Sequence, residues 1–368
     1  MSDNRFIQLC SAGIAQLKPY LPGKPISELE RELGISGSIK LASNENSLGA
    51  SPRVAEAIGA LMSEIARYPD GSGFELSQAL VAKHDCDPAC ITLGNGSNDV
   101  LDMIARVFLG PGCESLFSQY AFAVYPISSQ AVGAELVIAP AKDYGHDLRA
   151  MRERLSERTR VVWIANPNNP TGTWLKRGEL KSFIADLPEQ VIVVVDEAYI
   201  EYVDQPDYPD ASLWLDEFPN LIVTRTFSKA YGLASLRVGY ALSHPDLAGL
   251  LNRVRQPFNV NAMAQAGALA ALGDQAFIRR SVESNRQGMT QLTAGFQRLG
   301  LKYIPSVGNF VTLRLDRPAA EIDQALLREG CITRPVANYG LPEHLRVSVG
   351  LAEENSRFLD ALEEVLKR

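Results

Sequence analysis

Apolar positions change their spacing along the chain, and each change marks a boundary between elements. The first forty residues carry Pro19, Pro22, Gly23 and Pro25 and read as an irregular arm lying over a larger body. Regular patterning begins after Asn46. Ser51-Pro52 joins a helix-capping residue to a proline at the first helical position. Val54, Ile58, Leu61, Met62 and Ile65 then recur at helical spacing. A second helix is predicted from about Ser97, with Val100, Ile104, Val107 and Phe108 on one face. From about residue 161, short apolar strands (161–165, 191–195 and 221–226) alternate with loops and helices. The run 191–195 is apolar throughout, as a strand buried on both faces of a parallel sheet must be. From about Gln275 the pattern becomes a long helix, a strand at 310–315, a helix near 319–329, a strand at 345–349 and a last helix ending at Arg368. The expected class is α/β, in three parts. Residues 1–45 form an arm joining the small domain, 46–274 a large domain with a mostly parallel sheet flanked by helices, and 275–368 a smaller α+β domain.

Composition narrows the chemistry mainly by exclusion. At 46% hydrophobic and 21% charged, the chain has an ordinary globular composition and enough length to bury a core without disulfides. The cysteines (Cys10, Cys86, Cys90, Cys113 and Cys331) are odd in number and scattered, which predicts reduced thiols. Neither they nor His84, His146, His244 and His344 show metal-ligand spacing, so no metal is expected. A net charge of −7 argues against a general nucleic-acid surface, though a few arginines can still bind small anions. No basic stretch precedes an apolar core at the N-terminus, and no apolar run approaches the ~20 residues needed to span a bilayer. The expectation is a soluble, cytoplasmic protein without a membrane or nucleic-acid partner.

In an open parallel sheet, ligands bind beyond the carboxyl ends of the strands, so the residues just past each predicted strand matter most. The strand 161–165 leads into Asn166-Pro167-Asn168-Asn169-Pro170-Thr171-Gly172, 191–195 into Asp196-Glu197-Ala198-Tyr199, and 221–226 into Phe227-Ser228-Lys229, with Arg237 eight residues later. Taken singly, a carboxylate there caps a helix, a Ser-Lys pair is a solvated turn, and Asn-Pro-Thr-Gly is a turn of turn-favouring residues. Together they match what pyridoxal phosphate needs: a lysine to bond its carbonyl carbon and a carboxylate to keep its pyridine nitrogen protonated. Lys229 and Asp196 suit those roles, with Tyr199 and Asn169 hydrogen-bonding the ring oxygen. Gly96-Ser97-Asn98, a glycine turn opening a helix, suits the phosphate. Ser228 and Arg237 would complete that cradle.

At these residues the chain resembles the fold type I aminotransferases. Asn168-Asn169-Pro170-Thr171-Gly172, Asp196-Glu197-Ala198-Tyr199 and the run from Thr226 through Lys229 to Arg237 agree with that family in order and spacing. Within it, the ends of the chain resemble the histidinol-phosphate aminotransferases. The signals are Lys18-Pro19-Tyr20, Pro22-Gly23-Lys24-Pro25, Leu41-Ala42-Ser43-Asn44-Glu45-Asn46 and Arg67-Tyr68-Pro69-Asp70, then Thr333-Arg334-Pro335 and Leu345-Arg346-Val347-Ser348-Val349-Gly350. The chain departs from many relatives at Ser47 and at Ser118, where they carry proline.

The resemblance implies a role at each matching position. Thr226 joins the cofactor set, Tyr68 reaches across a homodimer interface to the second subunit's cofactor phosphate, and Tyr120 stacks on the pyridine ring. Arg346 binds the carboxylate of glutamate or 2-oxoglutarate. Arg334 and Tyr20 hold the phosphate of histidinol phosphate, and Asn44 and Asn46 line the entrance. The implied reaction is a ping-pong transfer through Lys229. It converts L-histidinol phosphate and 2-oxoglutarate to imidazole acetol phosphate and glutamate, in histidine biosynthesis. Two other activities fit the same scaffold: transamination of aromatic amino acids, and decarboxylation of threonine phosphate.

Overall fold

The computed structural model describes residues 5–20 and 22–368. Among these the largest sheet has seven strands, in the order Ile91–Gly94, Gly239–Ser243, Leu221–Thr226, Ile192–Asp196, Thr159–Ala165, Glu114–Ser118, Glu135–Ala139. All run parallel except Gly239–Ser243, which is antiparallel to both neighbours. The three strands read from the sequence are its centre, and their residues are buried on both faces. One face packs under Val100, Met103, Ile104 and Tyr125, the other under Leu180, Phe183, Ile184 and Trp214. The sequence pattern passed over the four outer strands. They are short, and Glu114–Ser118 and Glu135–Ala139 mix polar with apolar residues, so periodicity does not separate them from loop.

A four-stranded antiparallel sheet, ordered Lys302–Ile304, Phe310–Arg314, Leu341–Ser348, Arg334–Val336, forms the second body. Val311, Leu313, Leu345 and Val347 point to a core shared with Phe296, Leu326 and Phe358 of its helices. Alternation along each strand then turns Thr312, His344 and Arg346 to the opposite face, towards the large sheet. There Thr312 Oγ1 donates to the Pro170 carbonyl and Val307 N–H to the Gly172 carbonyl. The loop after the strand Thr159–Ala165 is thus held from both bodies.

The arm touches both. Ile39–Lys40 pairs in parallel with Cys331–Ile332 of the small body. Earlier, the short helix Ala12–Ala15 lies so close to the helix Val124–Ala131 of the large body that a Cβ on Gly13 would sit 1.8 Å from the Gln130 carbonyl oxygen. The helix expected through Ile65 is shorter than its apolar spacing suggests. Ser51 caps it, accepting from Arg53 N–H, and it ends at Ala60. There the Leu61 N–H bonds the Ile58 carbonyl and the chain tightens into a 3-10 turn. Met62 and Ile65 end up 54% and 65% exposed, so their spacing continues beyond the core. Among the described residues no helix is long and apolar enough to cross a membrane.

Candidate active site

The strand register sets the site. Ala165 lies opposite Asp196, and Asp196 opposite Thr224, so three strands end side by side. The loops beyond them line a cleft of about 610 Å³ with Asn169, Asp196, Tyr199, Thr226, Ser228 and Lys229. Ser97 and Asn98 enter from the helix Ser97–Phe108, and Arg237 from the far side of the Lys229 loop.

Asp196 is buried and held at both oxygens. The Tyr125 hydroxyl donates to Oδ2 at 2.8 Å and the Thr224 hydroxyl to Oδ1 at 2.9 Å. Burial pushes its pKa up, against these hydrogen bonds and the charge of Lys229. Such a carboxylate stays ionised most readily when a cation faces it, which a protonated pyridine nitrogen provides. Lys229 Nζ donates to the Ser43 carbonyl at 3.1 Å and lies 5.7 Å from the centre of the Tyr199 ring. Burial first, then the Arg346 cation, lower its pKa to about 7, with Glu45 opposing. Tyr199 accepts from Asn44 Nδ2 at 2.9 Å, leaving its O–H free to donate. Burial raises that phenol to about 12, so the donor keeps its proton at neutral pH.

A phosphate cradle forms where Gly96 turns at φ +81 into the helix Ser97–Phe108. A Cβ on Gly96 would come within 2.4 Å of the Arg237 guanidinium, so a larger residue would fill the space that the arginine uses. Arg237 Nη1 reaches Ser228 Oγ at 3.4 Å and the Ala234 carbonyl at 2.9 Å. Among the described residues it has no carboxylate partner, which leaves its charge for an anion. Helix N–H groups, hydroxyls and this cation together fit the phosphate of pyridoxal phosphate, as Asp196, Tyr199 and Lys229 fit its ring.

On the substrate side Arg346 is buried, donating to Asn169 Oδ1 at 2.5 Å and to the Ala42 carbonyl at 2.7 Å. Its Nε is buried without a partner. Arg334 lies directly across the strand pair from Arg346. Like charges placed opposite each other destabilise a sheet, unless an anion joins them. The Arg334 guanidinium also sits 5.6 Å over the Tyr20 ring, which is 53% exposed. Asn44, at φ +54, is buried against Tyr199 and Ser348.

Two placements differ from expectation. Tyr120 does not line the cleft; Phe122 does. The strand ends at Ser118, and the chain turns where Ala121 N–H bonds the Ser118 carbonyl. This turn directs the Tyr120 ring to Tyr144, at 6.0 Å, and brings Phe122 into the cleft lining. Asn46 lies outside the cleft lining as well. Its Nδ2 donates to the Ala230 carbonyl at 2.8 Å and Ser281 Oγ at 2.9 Å, pinning the arm to the lysine loop. Tyr68 is 82% exposed and is not among the residues that line this chain's own cleft. Sequence reasoning also passed over Tyr125 and Tyr339. Tyr339 follows the Arg334 strand, and burial pushes its phenol pKa up, with the Arg346 cation opposing. Recognising the strand Glu114–Ser118 would have directed attention to Phe122 and Tyr125, the aromatics just beyond its end.

Comparison with known proteins agrees with this geometry. The model of the family "aminotransferase class I and II" matches residues 36–362. A histidinol-phosphate aminotransferase 2 of Pseudomonas fluorescens (strain Pf0-1) is 56% identical over 100% of both chains. Another, of Methylococcus capsulatus, is 59% identical over 97% of this chain and 98% of its own. The crystal structure of histidinol-phosphate aminotransferase from Sinorhizobium meliloti in complex with pyridoxal-5'-phosphate is similar at TM-score 0.89, with 29% identity over 97% of each chain.

Proposed function

The chain belongs to the class I and II aminotransferases, and from that premise we infer that it transfers the amino group of L-histidinol phosphate to 2-oxoglutarate. The products are imidazole acetol phosphate and glutamate, a step of histidine biosynthesis. The observation that carries this reading is a cleft holding Lys229 and buried Asp196, to whose lining residue Asn169 the buried Arg346 is bonded, with Arg334 facing Arg346 across the strand pair. Full-length identity above 50% to histidinol-phosphate aminotransferases supports it.

When bound, pyridoxal phosphate supplies a cationic ring that takes up the electron pair left when the substrate Cα–H bond breaks. The chain's own groups do the rest. Asp196 holds the proton on the ring nitrogen, itself held by Tyr125 and Thr224. Tyr199 and Asn169 donate to the ring oxygen, and Phe122 supports the ring face. Ser97, Asn98, Thr226, Ser228 and Arg237 bind the phosphate. Lys229 is the general base: with a pKa near 7 its amine is neutral for much of the time at working pH and takes the proton from the substrate Cα. Arg346 pairs with the carboxylate of 2-oxoglutarate or glutamate, while Arg334 and Tyr20 hold the phosphate of histidinol phosphate. The exposed apolar residues Met62, Ile65, Phe74, Tyr68 and Phe258 support a homodimer in which Tyr68 reaches the second subunit's cofactor phosphate.

An absorbance titration of the purified protein tests the assignment. A visible cofactor band should be lost on adding L-histidinol phosphate alone and return with 2-oxoglutarate. If only phenylalanine or tyrosine discharges the band, the substrate is wrong. If no band forms with added cofactor, the role of Lys229 fails.

A further inference from the structure

Tyr68 and Phe258 form a pair of stacked rings at the protein surface. They are 82% and 45% exposed, with ring centres 4.7 Å apart and planes within 20°. Phe258 holds this position at φ +56, a left-handed backbone conformation that bulky side chains rarely adopt. Burial does not account for the choice, since the ring stays in water on this chain. Backbone strain of this kind collects at functional sites.

Both loops are firmly anchored. On the Tyr68 side, the Asp70 carboxylate accepts from the Ser72 and Phe74 N–H groups at 2.8 Å each, and its carbonyl accepts from Gln265 Nε2 at 2.8 Å. On the Phe258 side, Asn259 Nδ2 donates to Asp99 Oδ2 at 2.8 Å and to the Leu93 carbonyl at 3.1 Å. Asp99 lies in the first turn of the helix that forms the phosphate cradle. Gly71 lies against the ring, and a Cβ there would meet its edge at 3.3 Å. The Phe258 ring is therefore a fixed platform referenced to the subunit's own cradle, and Tyr68 lies flat on it.

We propose that Phe258 is a positioning residue, whose ring sets the direction in which Tyr68 leaves this subunit and so places its hydroxyl on the second subunit's cofactor phosphate. This deepens the dimer reading above and rests on it. Without a packing partner, an exposed tyrosine side chain on even an anchored loop would sample several rotamers. Stacking on a strained, anchored ring removes that freedom before the phosphate arrives.

The test is equilibrium titration of the apoprotein with pyridoxal phosphate, read by absorbance, alongside sedimentation for dimer mass. The proteins compared are the parent, Tyr68→Phe, Phe258→Ala, Phe258→Tyr and the Tyr68→Phe/Phe258→Ala double variant. Loss of a hydrogen bond to a charged group predicts about 10-fold weaker binding for Tyr68→Phe and for Phe258→Ala. The double variant should be no weaker than Tyr68→Phe alone, because both remove one contact. Phe258→Tyr, which keeps the stacking face, should bind like the parent. If Tyr68→Phe weakens binding and Phe258→Ala does not, or if the two effects multiply, the positioning role is overturned and the dimer reading stands. If neither changes binding, the reading of Tyr68 itself fails. Should Phe258→Ala split the dimer, Phe258→Leu, which keeps apolar volume without a stacking face, carries the same comparison.

Discussion

The two sides of the cleft are built differently. On the cofactor side, adjacent parallel strands of one sheet end level with each other, and Asn169, Asp196 and Lys229 lie within four residues of those ends. Much of the bonding there is local to the large body: Tyr125 and Thr224 to Asp196, Arg237 to Ser228. On the substrate side, Tyr20 comes from the arm, and Arg334 and Arg346 come from a second sheet. The bonds there cross between parts, as Arg346 does to Asn169 and Ala42, and Asn44 to Tyr199. The difference matches the proposed chemistry. Charges that stabilise a developing carbanion must be fixed before reaction, whereas groups that grip two successive substrates must release them.

Substitutions on the cofactor side should therefore lower kcat, and those on the substrate side should raise KM. Lys229→Ala removes the base and should cost about 10⁴-fold or more in single-turnover transfer. Circular dichroism should stay unchanged, because among the described residues the amine's ties to the fold are one hydrogen bond to the Ser43 carbonyl and its place over the Tyr199 ring. Asp196→Asn should lower kcat by about 10³-fold, with KM for either substrate nearly unchanged. A KM effect as large as the kcat effect would break the division. Arg346→Leu should raise KM for 2-oxoglutarate by about 10- to 100-fold, the range for one charged hydrogen-bonding group.

The same Arg346→Leu change has a signed consequence for pH. The Arg346 cation helps hold the Lys229 amine down near 7, and only the neutral amine attacks the cofactor carbonyl. Removing the cation raises the lysine pKa, so the pH midpoint for cofactor capture by the apoprotein should move upward. A downward shift or none would show that the two sides are not coupled through charge. Tyr125→Phe should have the smallest effect, about 5-fold in kcat, for loss of one neutral donor. Because that hydroxyl lowers the Asp196 pKa against burial, the acid limb of the kcat profile should move to higher pH.

Legibility in the sequence divides along the same line. Asp196, Tyr199, Ser228, Lys229 and Arg237 were readable because each lies a few residues from a strongly apolar strand, and the strand's end fixes where they sit. Phe122 and Tyr125 were missed because their strand, Glu114–Ser118, is polar at three of its five positions. At the next turn Phe122, two residues beyond Tyr120, is the aromatic that lines the cleft. Met62 and Ile65 keep helical spacing beyond the end of the α-helix, since their pattern serves exposed surface rather than core.

The sequence by itself determined the α/β class, the central strands and the acid, lysine and arginine of the cofactor side, because these depend on apolar periodicity and on separations of a few residues. Only the tertiary structure decided that Arg334 faces Arg346, that Asn46 turns inward to the lysine loop, that Phe122 lines the cleft, and that Tyr68 stacks on the Phe258 ring. Those outcomes depend on strand register, turn geometry and contacts between residues far apart in the chain. Local patterning carries no record of them.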